Sequence, residues 1–61
     1  MTGLDKNLLT LRDVARYLGV SERTIRREVK AGRLLAVKVG HQVRFDPPDV
    51  LRYVAARKGA S

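Results

Sequence analysis

Two helix boundaries lie close together in the first third of this chain of 61 residues. Thr10 and Asp13 are spaced as in a capping box, which begins a helix. Gly19 favours the end of that helix, because glycine adopts the left-handed conformation without a steric penalty. Ser21 then caps the start of a second helix. Since only Gly19 and Val20 separate the two signals, the sequence predicts two short helices joined by a very tight turn.

The apolar residues give each of these helices one buried side. On a helical wheel, one side of the first helix carries Leu11, Val14, Ala15 and Leu18. The second helix is predicted to run to Ala31, with Ile25 and Val29 on its buried side and Gly32 as its stop signal. Two short helices joined by such a turn form the helix-turn-helix pattern. An ordinary helical hairpin shows the same caps and spacing, so the pattern alone leaves both structures open.

After the second helix, the apolar period changes to two, which predicts a β-hairpin. The alternating apolar residues are Val37 and Val39 on one strand and Val43 and Phe45 on the other. Opposed residues share a face, so the register that turns all four side chains inward pairs Val39 with Val43. The same register pairs Val37 with Phe45 and leaves residues 40–42 as the loop.

A third helix is predicted after the hairpin. Asp46 is placed as its cap, proline at its first position needs no amide partner, and Asp49 completes a second capping box. Its buried side carries Val50, Leu51 and Val54, with Tyr53 at the edge. Together these elements predict an α+β, mainly α fold: a helix-turn-helix followed by a β-hairpin and a C-terminal helix. The predicted boundaries are a flexible N-terminal segment in residues 1–9, the domain in 10–57 and a flexible tail in 58–61.

Cations are concentrated in the first two helices. The chain has 13 Lys and Arg against 6 Asp and Glu, a formal net charge of +7. Residues 12–33 hold seven of these cations and three of the acids, a local excess of +4. A basic face on a small domain with acids elsewhere indicates a polyanionic partner. A merely solvated charged surface is the alternative.

The second helix turns a row of cations away from its buried side. At 100° per residue, Arg23, Arg27 and Lys30 lie opposite Ile25 and Val29. Arginine in the major groove of DNA donates two hydrogen bonds to guanine, and threonine can contact the thymine methyl group. The first turns of a recognition helix lie deepest in the groove. We therefore predict contacts to base edges for Arg23, Thr24 and Arg27.

Other polar residues are predicted to contact the DNA backbone. The first helix of this motif crosses the backbone, and the far end of the second lies closer to phosphates than to bases. The predicted backbone contacts are Arg12, Arg16, Ser21, Arg26 and Lys30. On the predicted hairpin register, Lys38 and Arg44 face each other on the solvent side, and such a like-charge pair favours an anion. The predicted wing contacts are Lys38, His41, Gln42 and Arg44.

Catalysis is not expected from this composition. The chain has no cysteine and one histidine, which excludes disulfides and thiolate metal sites. It offers no paired carboxylates, ligand cluster or phosphate loop, so we expect no enzymatic activity, no metal and no cofactor. No apolar run approaches the roughly 18 residues of a membrane span, and residues 1–11 contain no apolar stretch, so we expect neither secretion nor a membrane span. We expect a cytoplasmic, nucleoid-associated protein with no membrane partner.

The order of the motifs resembles a known family. The motifs are LTLRDVARYLGVSERTI at residues 9–25, AGRL at 31–34, VKVG at 37–40 and RF at 44–45. Over residues 9 to about 54 the chain is similar to the excisionase-type helix-turn-helix family, which is related to the DNA-binding domain of MerR regulators. The resemblance implies a winged helix-turn-helix whose second helix enters the major groove and whose wing follows the backbone or minor groove. It assigns Arg23, Thr24 and Arg27 to the recognition helix and Lys38, His41 and Arg44 to the wing.

The sequence therefore predicts an excisionase-like protein that binds a specific double-stranded DNA sequence and acts architecturally in recombination, without catalysis. A module this small makes few contacts, so we expect a monomer in solution that binds DNA cooperatively, assisted by an integrase or another DNA-bound protein. The close alternative is a small transcriptional regulator of MerR-like type. The alternative of a different class is an adaptor that binds protein or RNA through the basic face.

Overall fold

Three helices and a small antiparallel sheet make up residues 8–60, the part of the chain that the computed structural model describes. The helices are α1 (Leu11–Leu18), α2 (Glu22–Lys30) and α3 (Pro47–Ala60). The strands are β1 (Leu9–Thr10), β2 (Val37–Val39) and β3 (Gln42–Phe45), in the spatial order β1-β3-β2. This arrangement confirms the predicted mainly helical fold, a small winged helix-turn-helix. The predictions for residues 1–7 and for Ser61 lie outside the described residues.

Helix α1 begins with the capping box that its sequence predicts. The hydroxyl oxygen of Thr10 accepts a hydrogen bond from the Asp13 amide at 3.0 Å. The Asp13 carboxylate accepts one from the Thr10 amide, also at 3.0 Å. Both bonds satisfy amides that a helix start leaves unpaired. Because the bonds to Thr10 stabilise the charged carboxylate, they lower the pKa of Asp13 below its ordinary value.

The turn between α1 and α2 is as tight as predicted. Gly19 ends α1 in the left-handed conformation, at φ +70°. The amide of Val20 donates to the carbonyl of Ala15 at 3.0 Å, a bond typical of the Schellman arrangement at helix ends. Ser21 then caps α2, because its hydroxyl oxygen accepts a hydrogen bond from the Thr24 amide at 3.1 Å. The turn at Gly19 and the cap at Ser21 thus determine how the chain passes from α1 to α2.

Helix α2 ends at Lys30, one residue before the predicted end, and the chain reverses at Gly32. Gly32 has φ +82°, and the following amide of Arg33 donates to the carbonyl of Glu28 at 3.0 Å. This second Schellman turn directs the chain back along α2. It buries Leu34 at 1% exposure, a core residue that the apolar period does not identify.

The hairpin forms as predicted, but the predicted register is wrong. Val39 pairs with Gln42 and not with Val43, and only Gly40 and His41 form the turn. Gly40 has φ +63°, which suits the first central position of a two-residue II′ turn. Two-residue turns of this kind match the right-handed twist of the strands. Turn geometry therefore sets the register here, and the inward alignment of the valines does not.

The observed register moves the valines of β2 to the outer face of the sheet. Val37 lies opposite Arg44, whereas Lys38 lies opposite Val43. Since opposed residues share a face and neighbouring residues alternate, Lys38 and Arg44 lie on opposite faces. The predicted like-charge pair is therefore wrong. Of the four apolar side chains expected to point inward, only Phe45 is fully buried.

The sequence pattern does not predict the short strand β1. Leu9 pairs with Phe45, and Thr10 pairs with Arg44, so β1 covers the second edge of β3. Leu9 also packs against the core. The assignment of residue 9 to a flexible segment is therefore wrong. A strand of two residues is too short to show an alternating pattern, which explains why the sequence does not reveal it.

Helix α3 is longer than predicted and begins without a capping box. The Asp46 carbonyl accepts the Asp49 amide at 2.9 Å, but the Asp49 carboxylate binds Arg52 at 2.8 Å. The predicted second box is therefore wrong. The helix continues to Ala60, so the tail predicted as flexible in residues 58–61 is helical as far as the structure describes it. Among the described helices, none is long and apolar enough to cross a membrane.

The core is centred on Phe45, which is 0% exposed. The other buried apolar residues come from all three helices and the loop before β2: Val14, Ala15, Ile25, Leu34 and Val50. Burial of apolar surface contributes roughly 25 cal/mol per Å², so this cluster is the main source of stability. Leu51 is predicted on the buried side of the last helix, but it is 57% exposed. Val50 and Tyr53 are the residues of α3 that pack into the core, and Leu51 lies outside the side that they define.

Replacing Thr10 with alanine removes the hydroxyl oxygen of the α1 capping box. We expect Thr10→Ala to lower the free energy of unfolding by about 1 kcal/mol, the usual effect of losing such a cap. Urea denaturation followed by circular dichroism measures the change. Thr10→Ser, which keeps the oxygen, is the matched control and should lose much less. Equal losses in the two variants would contradict a capping role for Thr10.

Candidate nucleic-acid interface

The outward side of α2 carries three exposed cations: Arg23, Arg27 and Lys30. No acidic side chain in residues 8–60 forms an ion pair with any of the three. Their spacing of three, four and seven residues places them along one line of the helix, here called the cationic ridge. Since their mutual repulsion is not relieved within the described chain, the ridge is suited to bind a polyanion.

Thr24, the third residue predicted to contact bases, lies beside the ridge and is half-buried. Its hydroxyl oxygen is 3.0 Å from that of Ser21, which also accepts the Thr24 amide. The Thr24 side chain lines a groove with Tyr53 of α3. The two hydroxyls therefore serve the cap of α2. Base contact by Thr24 and backbone contact by Ser21 stay predictions.

Glu22 lies between two arginines that are predicted to contact phosphates. Arg12 Nε is 3.7 Å from Glu22 Oε2, and Arg26 Nη2 is 3.8 Å from Glu22 Oε1. Exposed ion pairs of this kind contribute about 0–1 kcal/mol. A phosphate can therefore replace Glu22 as the partner of either arginine at small cost. Arg16, the other predicted backbone contact on α1, is also exposed.

The wing divides its predicted contacts between the two faces of the sheet. Lys38 shares a face with Val43, and Val43 lines a groove with Arg26 of α2. Lys38 therefore lies on the face of the wing that is turned toward α2. Gln42 and Arg44 lie on the outer face, where Arg44 donates to the Gln42 side chain and, at 2.9 Å, to the Val43 carbonyl.

A groove of about 490 Å³ lies at the tip of the wing. It is lined by Leu8, Val39, His41, Gln42 and Arg44. His41 is exposed in the two-residue turn. The structure thus brings three of the predicted wing contacts together on the outer face, His41, Gln42 and Arg44, and separates Lys38 from them.

A buried carboxylate fastens the side of α2 that faces α3. Glu28 is 8% exposed. The sequence patterns identify it only as one of the acidic residues and do not predict its burial. Arg33 donates to both of its oxygens, from Nε at 2.9 Å and from Nη2 at 3.0 Å. The Tyr53 hydroxyl donates to Oε1 at 3.0 Å. The signal that identifies such a residue is its position beside Ile25 and Val29, at the edge of the buried side of α2.

Arg57 completes this arrangement from the next turn of α3. Its Nη1 is 3.7 Å from Glu28 Oε1, and its guanidinium carbon lies 5.4 Å from the centre of the Tyr53 ring. Tyr53 and Arg57 are four residues apart, so both project from the same face of α3. Glu28, Arg33, Tyr53 and Arg57 are here called the Glu28 cluster.

The donors around Glu28 lower its pKa from the ordinary 4.5 to about 2. Hydrogen bonds from Arg33 and Tyr53 stabilise the carboxylate more than burial destabilises it. The pKa of Tyr53 is raised, because burial disfavours the phenolate and the hydroxyl donates to Glu28. Glu28 therefore stays charged at neutral pH and links α2, the loop after it and α3.

The chain thus has two helices joined by a tight turn, and the second helix carries a cationic ridge. A family model described as "Helix-turn-helix domain" matches residues 8–58. The chain belongs to this family of DNA-binding domains. Helices α1 and α2 are the two helices of the motif, and α2 occupies the position of its recognition helix.

Relatives of this helix-turn-helix domain occur in mycobacteria. Uncharacterized proteins of two strains of Mycobacterium tuberculosis and of Mycobacterium bovis are each 42% identical to it over 50 residues. The match covers 82% of this chain and 44% of each relative, so the chain spans less than half the length of the curated relatives it matches. No solved structure matches the domain.

Glu28→Gln removes the charge of the Glu28 cluster while keeping an oxygen that can accept hydrogen bonds. Since the pKa of Glu28 is lower in the folded state, its carboxylate stabilises the fold fully above pH 4.5, and this contribution is lost as the pH falls toward 2. We expect the wild type to be more stable than Glu28→Gln at pH 7 and the difference to shrink below pH 4.5. Urea denaturation at pH 7, 4.5 and 3 measures it.

The control for this pH series is Glu22→Gln, which removes a half-buried carboxylate whose ion pairs are 3.7 and 3.8 Å long. Such pairs contribute little, so we expect a small change in stability at pH 7. A stability difference between wild type and Glu28→Gln that stays the same at all three pH values would contradict the role given to the Glu28 charge.

Proposed function

We propose that this helix-turn-helix domain binds a specific double-stranded DNA sequence by placing α2 in the major groove. The observation that carries the proposal is the cationic ridge, which has no acidic partner among residues 8–60. The major groove admits one α-helix, and an arginine in it donates two hydrogen bonds to O6 and N7 of guanine. Arg23 and Arg27 are therefore assigned to base edges.

Cations around the ridge supply contacts to phosphates. Lys30 continues the ridge, while Arg12, Arg16 and Arg26 are exposed around it. Lys38 adds a cation on the face of the wing that is turned toward α2. Such contacts attract any DNA sequence and weaken as salt rises, so they give affinity rather than specificity.

The proposed role is architectural and not catalytic. The excisionase-like order of motifs supports a protein that shapes attachment-site DNA so that an integrase assembles on it, the deformation of the DNA being offset by added contacts. One helix-turn-helix domain of this size makes few base contacts, so we propose that copies of it bind neighbouring sites cooperatively. A small transcriptional regulator is the second candidate, because the same motifs resemble the DNA-binding domain of MerR regulators.

Selection of bound duplexes from a random DNA pool at about 0.15 M salt, near physiological ionic strength, tests the proposal. Enrichment of clustered direct repeats supports cooperative, excisionase-like binding. Enrichment of one inverted repeat supports the regulator instead, because a two-fold symmetric site reflects a two-fold symmetric dimer. A pool in which no sequence is enriched contradicts sequence-specific binding.

Arg27→Ala removes a side chain assigned to a base edge. On the selected duplex we expect a loss of roughly 1–3 kcal/mol in binding free energy and a relaxed preference at one base pair. Arg27→Lys is the matched variant: it keeps the charge but loses the forked donor pair, so the relaxed preference should persist. Fluorescence anisotropy on the selected duplex and its single-base variants measures both effects. An equal loss on every duplex would make Arg27 a phosphate contact.

Lys38→Ala removes the cation on the α2-facing side of the wing. We expect binding to weaken uniformly across duplexes and the slope of log K against log salt concentration to fall by about one. Arg44→Ala is the comparison variant: it tests the contact predicted for the outer face, where Arg44 donates to Gln42 and to the Val43 carbonyl. A salt slope that falls for Arg44→Ala and not for Lys38→Ala would place the outer face of the wing against DNA.

A further inference from the structure

Helix α2 lies between two other elements of the fold. On one flank, Arg26 shares a groove with Val43 of the wing. On the opposite flank, Glu28 binds Tyr53 of α3 at 3.0 Å, and Thr24 lines a groove with the same tyrosine. At 100° per residue, Arg26 projects about 160° from both Thr24 and Glu28. The cationic ridge emerges between these two flanks.

The flank formed by α3 is also basic. A groove of about 340 Å³ is lined by Leu18, Val20, Thr24, Tyr53, Val54, Arg57 and Lys58. Arg57 and Lys58 come from the last turns of α3, where the sequence predicts the end of the domain and the start of a flexible tail. The structure instead brings both cations beside the N-terminal half of α2, the part of a recognition helix that lies deepest in the groove.

A helix in the major groove, about 12 Å wide, has the phosphates of one DNA strand on each side. The wing offers Lys38 to the strand on the Arg26 side. We infer that Arg57 and Lys58 of α3 contact phosphates of the strand on the opposite side, so that DNA is held on both flanks of α2. This inference rests on the proposed function and adds to it a third DNA-contacting element that the helix-turn-helix motif and the wing do not include.

The guanidinium of Arg57 is both positioned by neighbouring side chains and exposed, as such a contact requires. Its guanidinium lies 5.4 Å from the centre of the Tyr53 ring and 3.7 Å from Glu28, yet its side chain is 61% exposed. Arg33 already binds both oxygens of Glu28 at 2.9 and 3.0 Å, so the longer contact leaves most of the five donors of Arg57 for a phosphate. An arginine ordered in advance loses less side-chain entropy on binding.

The test measures the salt slope on the selected duplex for variants of α3. Lys58→Ala and Arg57→Ala should each lower the slope of log K against log salt concentration by about one. Arg57→Lys restores the charge and should restore the slope. Arg52→Ala is the matched control, because Arg52 is a 73% exposed cation on another face of the same helix, and its slope should equal that of the wild type. Circular dichroism checks that each variant is folded.

The outcomes separate this inference from the proposed function. If Lys38→Ala lowers the slope while Lys58→Ala and Arg57→Ala leave it unchanged, α3 does not contact DNA and the inference is overturned alone. If Arg52→Ala lowers the slope as much as Lys58→Ala, the effect is one of net charge, and the inference is again overturned. If the wild type binds no duplex, both the proposed function and the inference fail.

Discussion

One buried carboxylate keeps the recognition helix in place. Helix α2 has nine residues, too few to be stable by itself in water, so its position depends on tertiary contacts. Glu28 supplies a polar set of these contacts, with two hydrogen bonds from Arg33 and one from Tyr53. A carboxylate taken from water without such donors would cost several kcal/mol. Glu28 and the cationic ridge lie on different sides of α2. Because the hydrogen bonds of Glu28 hold its side of the helix against the fold, the cationic ridge is directed outward.

Local signals predicted both ends of α1 and the start of α2. Thr10, Gly19 and Ser21 each act on amides or carbonyls within a few residues, so the sequence contains all the information needed. The cationic ridge was predictable for the same reason, because the period of a helix fixes which side of α2 Arg23 and Arg27 occupy. These features require no knowledge of how distant parts of the chain meet.

Features that depend on distant contacts were not predictable. Tyr53 lies 25 residues from Glu28 in the chain, and no local pattern links the two. The hairpin register was decided by the turn at Gly40, which competes with the inward alignment of the valines and prevails. A register one residue away moves every side chain to the other face. The predicted pairing of Lys38 with Arg44 failed for this reason, although the existence of the wing was predicted.

The outer face of the wing also bears on how copies of the domain behave at high concentration. Strand β2 is an edge of the sheet, and Val37 and Val39 are 42% and 49% exposed on it. An unpaired edge with apolar side chains is a template for association with another chain. Here the edge is only three residues long with a lysine at its centre, and a net charge of +7 keeps copies apart. Charge repulsion therefore opposes association at this edge, and added salt weakens that opposition because it screens the charges.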